Sequence, residues 1–398
     1  MMLYGRVAVL PFLQSIICML PSNCPRRANV FAENRIMPDI CEQPKTDQNA
    51  KVMATTPPAT DGNGLLPLIS VVIPVRNEEL HIVAVLDALL EQDYPVERFE
   101  VLVVDGHSTD NTREVVETYT KRFGNIRLFS NPRFLSSAAR NIGIRESQGD
   151  IILIIDGHCL IDNPGMLSNV DHAMRKPGVF ALGRPQPLFL ENANLTQRAI
   201  ALARHSRVGH HPDSFIYSDQ PQIVPAISTA VAYRREVFDQ IGLFDERFDA
   251  CEDCELNFRF DQTGMICYFT PDIAVRYKPR SSIFGLCKQM FRYGRGRIRL
   301  AKIHPKSFSW TMCLPALLIS GIVLGGVCAT FSHSIAIAYF AVLACYSLII
   351  GLESVRLSAV NRFLPGLVVF PLVFLAIHFA AGFGELLEIV TPLPRKPH

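Results

Sequence analysis

The chain has 398 residues, 49% of them hydrophobic, and a formal net charge of +2. A nearly neutral balance provides no strong positive field, which argues against nucleic acid as a partner. Eleven cysteines without a regular spacing argue against a disulfide-stabilised scaffold and favour a reducing compartment.

The first 66 residues are rich in turn formers and show no regular hydrophobic period. Val7–Leu20 is apolar, but it is interrupted by a proline and a glutamine and is too short to span a bilayer. Arg6 before this run permits a signal peptide, although no small-residue cleavage site follows. Residues 54–64 have the composition of a flexible linker. We therefore interpret residues 1–66 as a disordered or weakly membrane-associated segment.

Strand and helix patterns alternate from Leu68 onward. The apolar, β-branched run Leu68–Val75 is typical of a strand buried on both faces, and helical spacing follows over Asn77–Gln92. The alternation continues with predicted strands at Glu100–Val104, Ile126–Ser130 and Ile151–Ile155 and predicted helices at Thr109–Phe123 and Ser136–Ser147. It predicts an α/β fold with a mostly parallel central sheet and helices on both faces. Ligands bind such sheets at the carboxyl ends of the strands, where Asp105 and Asp156 lie.

Two acidic motifs are candidates for catalysis. Asp156-Gly157-His158 follows a predicted strand, so both polar side chains can face a metal bound to a diphosphate, although a plain turn is the usual meaning of so short a pattern. Glu252 and Asp253 precede a helical segment. Either acid could deprotonate an acceptor hydroxyl, or both could simply favour the helix dipole.

A third candidate motif precedes the apolar C-terminal part. Gln289, Arg292 and Tyr293 have the spacing of one helical face, which could hold an acceptor or a diphosphate. The basic residues around them could equally form a membrane-surface anchor.

The remaining histidines and the one C-x-x-C pair have simpler interpretations. His172 is expected on a helix surface. A polar stretch with His205, His210 and His211 could bind zinc. The better interpretation is a mobile loop that covers the bound donor or acceptor of a group-transfer reaction. Cys251 and Cys254 lack the second ligand pair of a structural zinc site, so we interpret them as incidental.

Three segments without charge follow, namely Thr311–Thr330, Ser334–Leu352 and Phe363–Phe383. Each is long enough to cross about 30 Å of hydrocarbon, whereas the alternative is a set of buried helices in a soluble protein. Basic residues precede the first segment and lie between the second and third, which places the catalytic domain in the cytoplasm of a multi-pass cell-membrane protein. Arg395 and Lys396 follow the third segment, where this topology predicts the external side, so they do not fit the expected distribution of positive charge. Either the tail is external, or the third segment does not cross completely.

These motifs, in their order, resemble the family 2 glycosyltransferases with the GT-A fold. The resemblance covers Leu68 to about Leu300, so we expect a catalytic domain at 67–300, a membrane domain at 301–390 and a tail at 391–398. It rests on Ile69–Glu79, Val103–Asp110, Ala139–Gly143, Gly149-Asp150, Ala232–Phe238 and Ile241–Glu246.

The resemblance implies a role for each candidate residue. The nucleotide sugar would be bound by Pro74, Asn77, Glu78, Asp105, Arg140 and Asp156. Asp156 and His158 would take the metal-binding D-x-D role, and Asp253, beside Glu252, would be the catalytic base. The acceptor or diphosphate would be held by Gln289, Arg292 and Tyr293, which resemble a Q-x-x-R-W motif with tyrosine in place of tryptophan.

Two positions depart from the family pattern. Gly106 replaces a common second aspartate, and His158 replaces the last acid of D-x-D. Imidazole suits Mn²⁺ better than Mg²⁺, so we expect manganese, or magnesium held by Asp156 with water. The D-G-H variant with trailing apolar helices most resembles the succinoglycan-type exopolysaccharide glucosyltransferases.

The expected activity is therefore inverting transfer of a sugar, glucose from UDP-glucose by default, to a lipid-linked or growing saccharide. Two alternatives remain within enzymes: transfer to a polyprenyl phosphate, and processive polysaccharide synthesis, which the small number of spans disfavours. Outside enzymes, the chain could be a membrane scaffold with a degenerate transferase domain.

Overall fold

A computed structural model of the protein describes residues 66–210 and 215–395. The interpretations of the N-terminal segment before residue 66, of its linker, of His211 and of Lys396 therefore lie outside the described residues.

Strands and helices alternate through the first part of the described chain, as the sequence predicts. The elements in order are β1 Ile69–Val75, α1 Ile82–Leu90, β2 Phe99–Asp105, α2 Thr112–Arg122, β3 Ile126–Ser130, α3 Ser136–Glu146 and β4 Ile151–Ile154. The next are β5 Cys159–Leu160, α4 Met166–Met174, β6 Val179–Gly183, α5 Leu195–Arg204, β7 Gln222–Val224, β8 Ala230–Arg234, α6 Arg235–Ile241, α7 Glu252–Asp261, β9 Ile266–Phe269, β10 Arg276–Tyr277 and α8 Ile283–Ile303.

The main sheet has eight strands in the order β3-β2-β1-β4-β8-β6-β9-β7. Strands β1 to β4 are parallel to one another, and β6 is parallel to β9. Strand β8 is antiparallel to both of its neighbours, β4 and β6, and β7 is antiparallel to β9. The predicted α/β fold with a mostly parallel sheet is confirmed. Strands β5 and β10 form a separate antiparallel pair.

The apolar run of β1 is explained by burial on both of its faces. Val71 and Ile73 pack into the hydrophobic cluster that includes Ile82 of α1, whereas Val72 packs into the cluster that includes Ile144 of α3. Because alternate side chains of a strand point to opposite faces, a strand between two helical layers requires continuous apolar sequence.

Helix α1 begins at Ile82, five residues after the predicted start at Asn77. The backbone of Asn77 is left-handed, with φ 58°, which a right-handed helix excludes. The intervening residues form a loop at the sheet edge instead.

The C-terminal part forms three long helices, α9 Leu314–Ala329, α10 His333–Val360 and α11 Gly366–Val390. All three are apolar. Helices α10 and α11 are long enough to cross a membrane, as is α9 together with the 3₁₀ turn Trp310–Cys313 that precedes it. Helix α11 also packs closely along α8. A side chain at Gly294 of α8 would overlap the Ala381 carbonyl group of α11, so glycine is required for this approach.

Candidate active site

Asp105 ends β2 at the carboxyl edge of the sheet and is 2% exposed. Its Oδ1 accepts hydrogen bonds from the Ser108 backbone N–H at 3.1 Å and the Ser108 hydroxyl at 2.6 Å. Its Oδ2 lies 3.8 Å from the guanidinium of Arg113. The carboxylate is thus held in one orientation at the edge where the sequence predicts the nucleotide.

The loop after β1 is tied to the loop after β2. The Asn77 side-chain oxygen accepts a hydrogen bond from the Thr109 backbone N–H at 2.8 Å, and the Asn77 N–H donates to the Ser108 hydroxyl at 2.9 Å. Pro74 lies beside Val104 in the β1–β2 register. Three predicted nucleotide-binding residues, Pro74, Asn77 and Asp105, therefore come from two adjoining strand ends.

His158 is oriented by Glu78, which lies on the loop after β1. The His158 Nδ1 atom is 3.0 Å from Glu78 Oε1, and the imidazole meets the Tyr277 ring edge-on at 6.0 Å. Burial alone lowers the pKa of His158, but the hydrogen bond to Glu78 and the charge of Asp156 outweigh burial and raise it. With Nδ1 engaged, Nε2 is the nitrogen available to a metal.

Arg140 on α3 joins two of the predicted acids. Its guanidinium lies 3.4 Å from Asp156 Oδ1 and 3.0 Å from Glu252 Oε1, and its side chain is 12% exposed. Asp156 also accepts a hydrogen bond from the Tyr277 hydroxyl at 3.2 Å. Burial opposes ionisation of Asp156, but Arg140 and His158 outweigh it, and the pKa of Asp156 is lowered. Both acids are thereby held in place at the site by one buried cation.

The adjacent acids Glu252 and Asp253 lie in different environments at the start of α7. Glu252 is buried, and burial raises its pKa against the opposing charge of Arg140. Asp253 is exposed, and its Oδ1 accepts a hydrogen bond from the Cys254 N–H at 2.8 Å. The preceding residue, Cys251, has a φ of 63°, which turns the chain sharply into the helix. Of the two acids, Asp253 is the one open to an incoming acceptor.

Helix α8 brings part of the third motif to the same place. The Cys251 thiol lies 3.8 Å from the Tyr293 carbonyl oxygen, and the Gln289 amide donates to the Tyr293 hydroxyl at 3.2 Å. Burial raises the pKa of Tyr293, and the charge of Asp253 adds to this effect. Arg292, by contrast, pairs with Asp249 at 3.3 Å. Gln289 and Tyr293 therefore lie near the acids, while Arg292 is engaged elsewhere.

Two site residues had no signal in the sequence. Tyr277 reaches Asp156 across 121 residues of chain because β10 pairs with β5. Arg184 follows β6 and is 1% exposed, and it donates to the Ile154 carbonyl oxygen at 3.3 Å and the Tyr277 hydroxyl at 3.4 Å. Its Nε and one terminal nitrogen have no hydrogen-bond partner within the described ranges. This buried positive charge lies on the Asp156 side of the site.

The protein ligands available to a metal are few. Within residues 66–210 and 215–395, no group of three or more His, Cys, Asp or Glu side chains could hold a metal ion. Asp156 and His158 follow the same strand and are 30% and 38% exposed. This donor pair fits a cation that takes its other ligands from substrate phosphates or water, as hard divalent ions do at phosphoryl sites.

The structure also describes three of the other histidines singled out in the sequence. His172 is exposed on α4. His205 and His210 lie against the Tyr217 ring, with centroid distances of 3.9 and 5.2 Å. They pack with an aromatic ring rather than with further metal-binding side chains in the described part of the chain.

Comparison with known proteins identifies the family of this domain. The model of the family "Glycosyl transferase family 2" matches residues 70–242. A dolichyl N-acetyl-alpha-D-glucosaminyl phosphate glucuronosyltransferase of Methanococcus voltae is 27% identical over 64% of this chain and 83% of its own. The succinoglycan biosynthesis protein ExoA of Rhizobium meliloti is 28% identical over 65% and 77%. A probable glycosyltransferase of Bacillus subtilis, YdaM, is 36% identical over 58% and 55%.

A solved structure supports the fold assignment. The mannosyltransferase PcManGT of Pyrobaculum calidifontis, in complex with GDP-Man and Mn²⁺, has a TM-score of 0.53 at 20% identity, over 81% of this chain and 88% of its own. The matched domain contains the sheet edge, Asp105, Arg140 and Asp156 described above. The chain therefore contains a family 2 glycosyltransferase domain, matched over residues 70–242, within an α/β fold of the GT-A type that is followed by three apolar helices.

Proposed function

We propose that the protein is an inverting glycosyltransferase of a cell membrane, transferring a sugar from a nucleotide-diphosphate donor to a lipid-linked or growing saccharide. Glucose from UDP-glucose is the default donor, in the synthesis of an exopolysaccharide or related surface glycan. The main support for the proposal is the different burial of the two adjacent acids at the start of α7. Glu252 is buried against Arg140, whereas Asp253 is exposed beside it.

The proposed reaction is a single displacement. The acceptor hydroxyl oxygen attacks the anomeric carbon while the bond from that carbon to the diphosphate oxygen breaks, and the bond's electron pair leaves with the diphosphate. Asp253 accepts the hydroxyl proton. Attack from the face opposite the leaving group inverts the configuration. Asp105 orients the nucleotide, and Gln289 and Tyr293 border the acceptor side.

A divalent cation fits the donor pair of Asp156 and His158, where it would supply positive charge to the departing diphosphate. The remaining positive charge comes from the chain itself. Arg140 and Arg184 both lie on the Asp156 side of the site. Buried guanidinium groups stabilise charge in a low-dielectric site more strongly than they do in water.

The acceptor class is supported by the neighbouring apolar helices and by one relative. The name of the Methanococcus voltae relative describes a dolichyl-linked acceptor. The proposed acceptor residues of this chain lie on α8, which packs along α11. Lipid attachment would bring the acceptor to such a site. Transfer to a polyprenyl phosphate and processive synthesis remain as alternatives, distinguished by the product length and by the acceptor used.

The first test is a donor screen on the purified full chain in detergent. UDP-glucose, UDP-galactose, UDP-N-acetylglucosamine and GDP-mannose are each supplied with Mn²⁺ or Mg²⁺, with polyprenyl phosphate or a polyprenyl-diphosphate saccharide as acceptor. We expect metal-dependent release of one nucleotide that is lost in Asp156→Ala, because this carboxylate is the only acid of the D-G-H motif. Release of the nucleotide is measured by chromatography.

The control for this screen is Asp239→Asn, a change at an exposed acid on α6 away from the site. It should release nucleotide at the rate of the unchanged protein. If the protein neither bound nor hydrolysed any of the four donors, the proposed transferase activity would be contradicted and the degenerate scaffold would be supported.

Metal affinity is expected to depend on pH through His158. A protonated imidazole cannot ligate a metal, and the pKa of His158 is raised above its ordinary value of 6.5. Affinity for Mn²⁺ should therefore fall as the pH is lowered, and the fall should begin above pH 6.5. Titration of Mn²⁺ by electron paramagnetic resonance, with nucleotide diphosphate present, measures this.

The comparison variant is His158→Asp, which restores a carboxylate at the metal position. It should remove this part of the pH dependence and shift the preference towards Mg²⁺. An unchanged pH profile in this variant would exclude His158 as a ligand.

A further inference from the structure

Helix α11 has one face packed on the protein, and residues on the opposite face are exposed towards both of its ends. The packed face includes Gly366, Phe370, Val373, Phe374, Ile377, Ala381, Gly384, Glu385 and Glu388. The uncovered face includes Val368, Leu372, Leu375, Phe383, Leu387 and Val390. Both series follow the helical period, so the helix lies on its side against the rest of the molecule.

Both ends of α11 contact the catalytic domain. Just before its start, the Phe363 ring lies 4.8 Å from the guanidinium of Arg198 on α5. Near its end, Glu388 is fully buried and pairs with Arg295 and Arg299 of α8, each at 2.8 Å. The Lys302 ammonium group donates to the carbonyl oxygen of Thr391 at 2.9 Å. A helix that crossed the membrane would carry its two ends to opposite sides.

Helices α9 and α10 are arranged differently. At the start of α9, the Ala316 N–H donates to Glu385 of α11 at 2.9 Å, and at the far end Tyr339 of α10 packs against Gly325 of α9. Helix α10 then returns, and Leu357 near its end packs in the same cluster as Phe363 and α5. Both helices are otherwise largely uncovered. They form a hairpin whose two open ends are on the side of the catalytic domain.

We propose that α9 and α10 cross the membrane as a hairpin, and that α11 does not cross but lies in the membrane surface on the side of the catalytic domain. The uncovered face of α11 would then rest among lipid acyl chains just below the headgroups. At 25 residues, the helix extends about 37 Å along this plane. The proposal does not depend on the donor or on catalysis.

Charge supports this arrangement. A third crossing would carry the basic residues Arg395 and Lys396 to the external side, against the usual distribution of positive charge. With α11 in the membrane surface, they stay on the side that holds the basic residues of α8. Glu385 and Glu388 would be costly in a bilayer core, whereas in this position Glu388 meets two arginines of the catalytic domain.

The first test locates three epitope tags in the full chain, expressed in intact cells. The tags are placed at Gly124 in the catalytic domain, at Phe331 in the α9–α10 turn, and after His398. We expect antibody to reach only the Phe331 tag before permeabilisation and all three tags afterwards. A C-terminal tag that is reached together with the Phe331 tag, while the Gly124 tag is protected, would overturn the proposal.

The second test compares lysine at two uncovered leucines. Leu375 lies near the middle of α11 and Leu348 well inside α10. In a surface helix a lysine can extend to the headgroups, but in the middle of a span it is strongly disfavoured. The yield of folded protein in membranes should stay within about twofold for Leu375→Lys and fall severalfold for Leu348→Lys. Equal losses in both variants would contradict the surface position of α11.

Discussion

Replacing Asp253 with asparagine is expected to slow sugar transfer by about two to four orders of magnitude, the usual contribution of a general base. The amide has nearly the same shape but cannot accept the acceptor's proton. Asp253 is exposed at the start of α7, and its one described hydrogen bond is from the neighbouring Cys254 N–H. The change should therefore leave the fold and donor binding intact. Initial transfer rates and donor affinity, measured on the same preparation, separate these effects.

Glu252→Gln is the informative comparison for Asp253→Asn. Glu252 pairs with buried Arg140, so we assign it to positioning rather than to proton transfer. Its replacement should weaken donor binding and stability together, whereas Asp253→Asn should affect the rate alone. Full activity of Asp253→Asn would reject Asp253 as the base. A loss of rate in Glu252→Gln, with donor binding unchanged, would transfer that role to Glu252.

Replacing Arg140 with methionine is expected to lower the free energy of unfolding by about 3–5 kcal/mol, because it leaves a buried carboxylate without its cation. Arg140 lies between Asp156 and Glu252, so both the fold and the site should suffer. The pKa of Glu252 is already raised by burial and rises further without Arg140. The defect should therefore shrink as the pH is lowered and Glu252 becomes protonated. Unfolding in detergent, followed at several pH values, tests this.

A double-mutant cycle isolates the pair. Combining Arg140→Met with Glu252→Gln removes both charges, and part of the lost stability should return because no unpaired buried charge remains at that pair. The matched control is Arg145→Met on the same helix, since Arg145 is exposed and its loss should cost little. Additive losses in the cycle would show that the two side chains are not coupled.

The boundaries of the strands and helices show how much of the fold follows from the sequence. The strand at Ile126–Ser130 has the predicted bounds, β1 and β4 differ from theirs by one residue at one end, and β2 is longer than predicted by one residue at each end. Their β-branched runs express local preferences that burial on both faces reinforces. The start of α1 was missed because Asn77 is left-handed and bonded to the loop after β2, a contact between residues 32 positions apart. Local pattern cannot indicate such a contact.

The candidate site divides in the same way. Asp105 and Asp156 stand out because they follow buried strands at the edge of the sheet where ligands bind. The Glu252-Asp253 pair stands out only through the family resemblance, since the helix dipole alone also favours acids at a helix start. Tyr277 and Arg184 do not, because their role depends on which strands pair. The distinction between Glu252 and Asp253 is also tertiary, since two adjacent carboxylates are alike in sequence and differ only once Arg140 packs against one of them.

By itself, the sequence determined the α/β class, the family resemblance, the acidic motifs and three apolar segments, since these depend on local periodicity and on residue type. Only the tertiary structure decided which acid is buried, that Arg140 connects Asp156 to Glu252, and that α11 packs along α8. Hydrophobicity measures how readily a helix leaves water. Whether lipid or protein then covers each of its faces depends on what packs beside it, and for α11 that neighbour is α8.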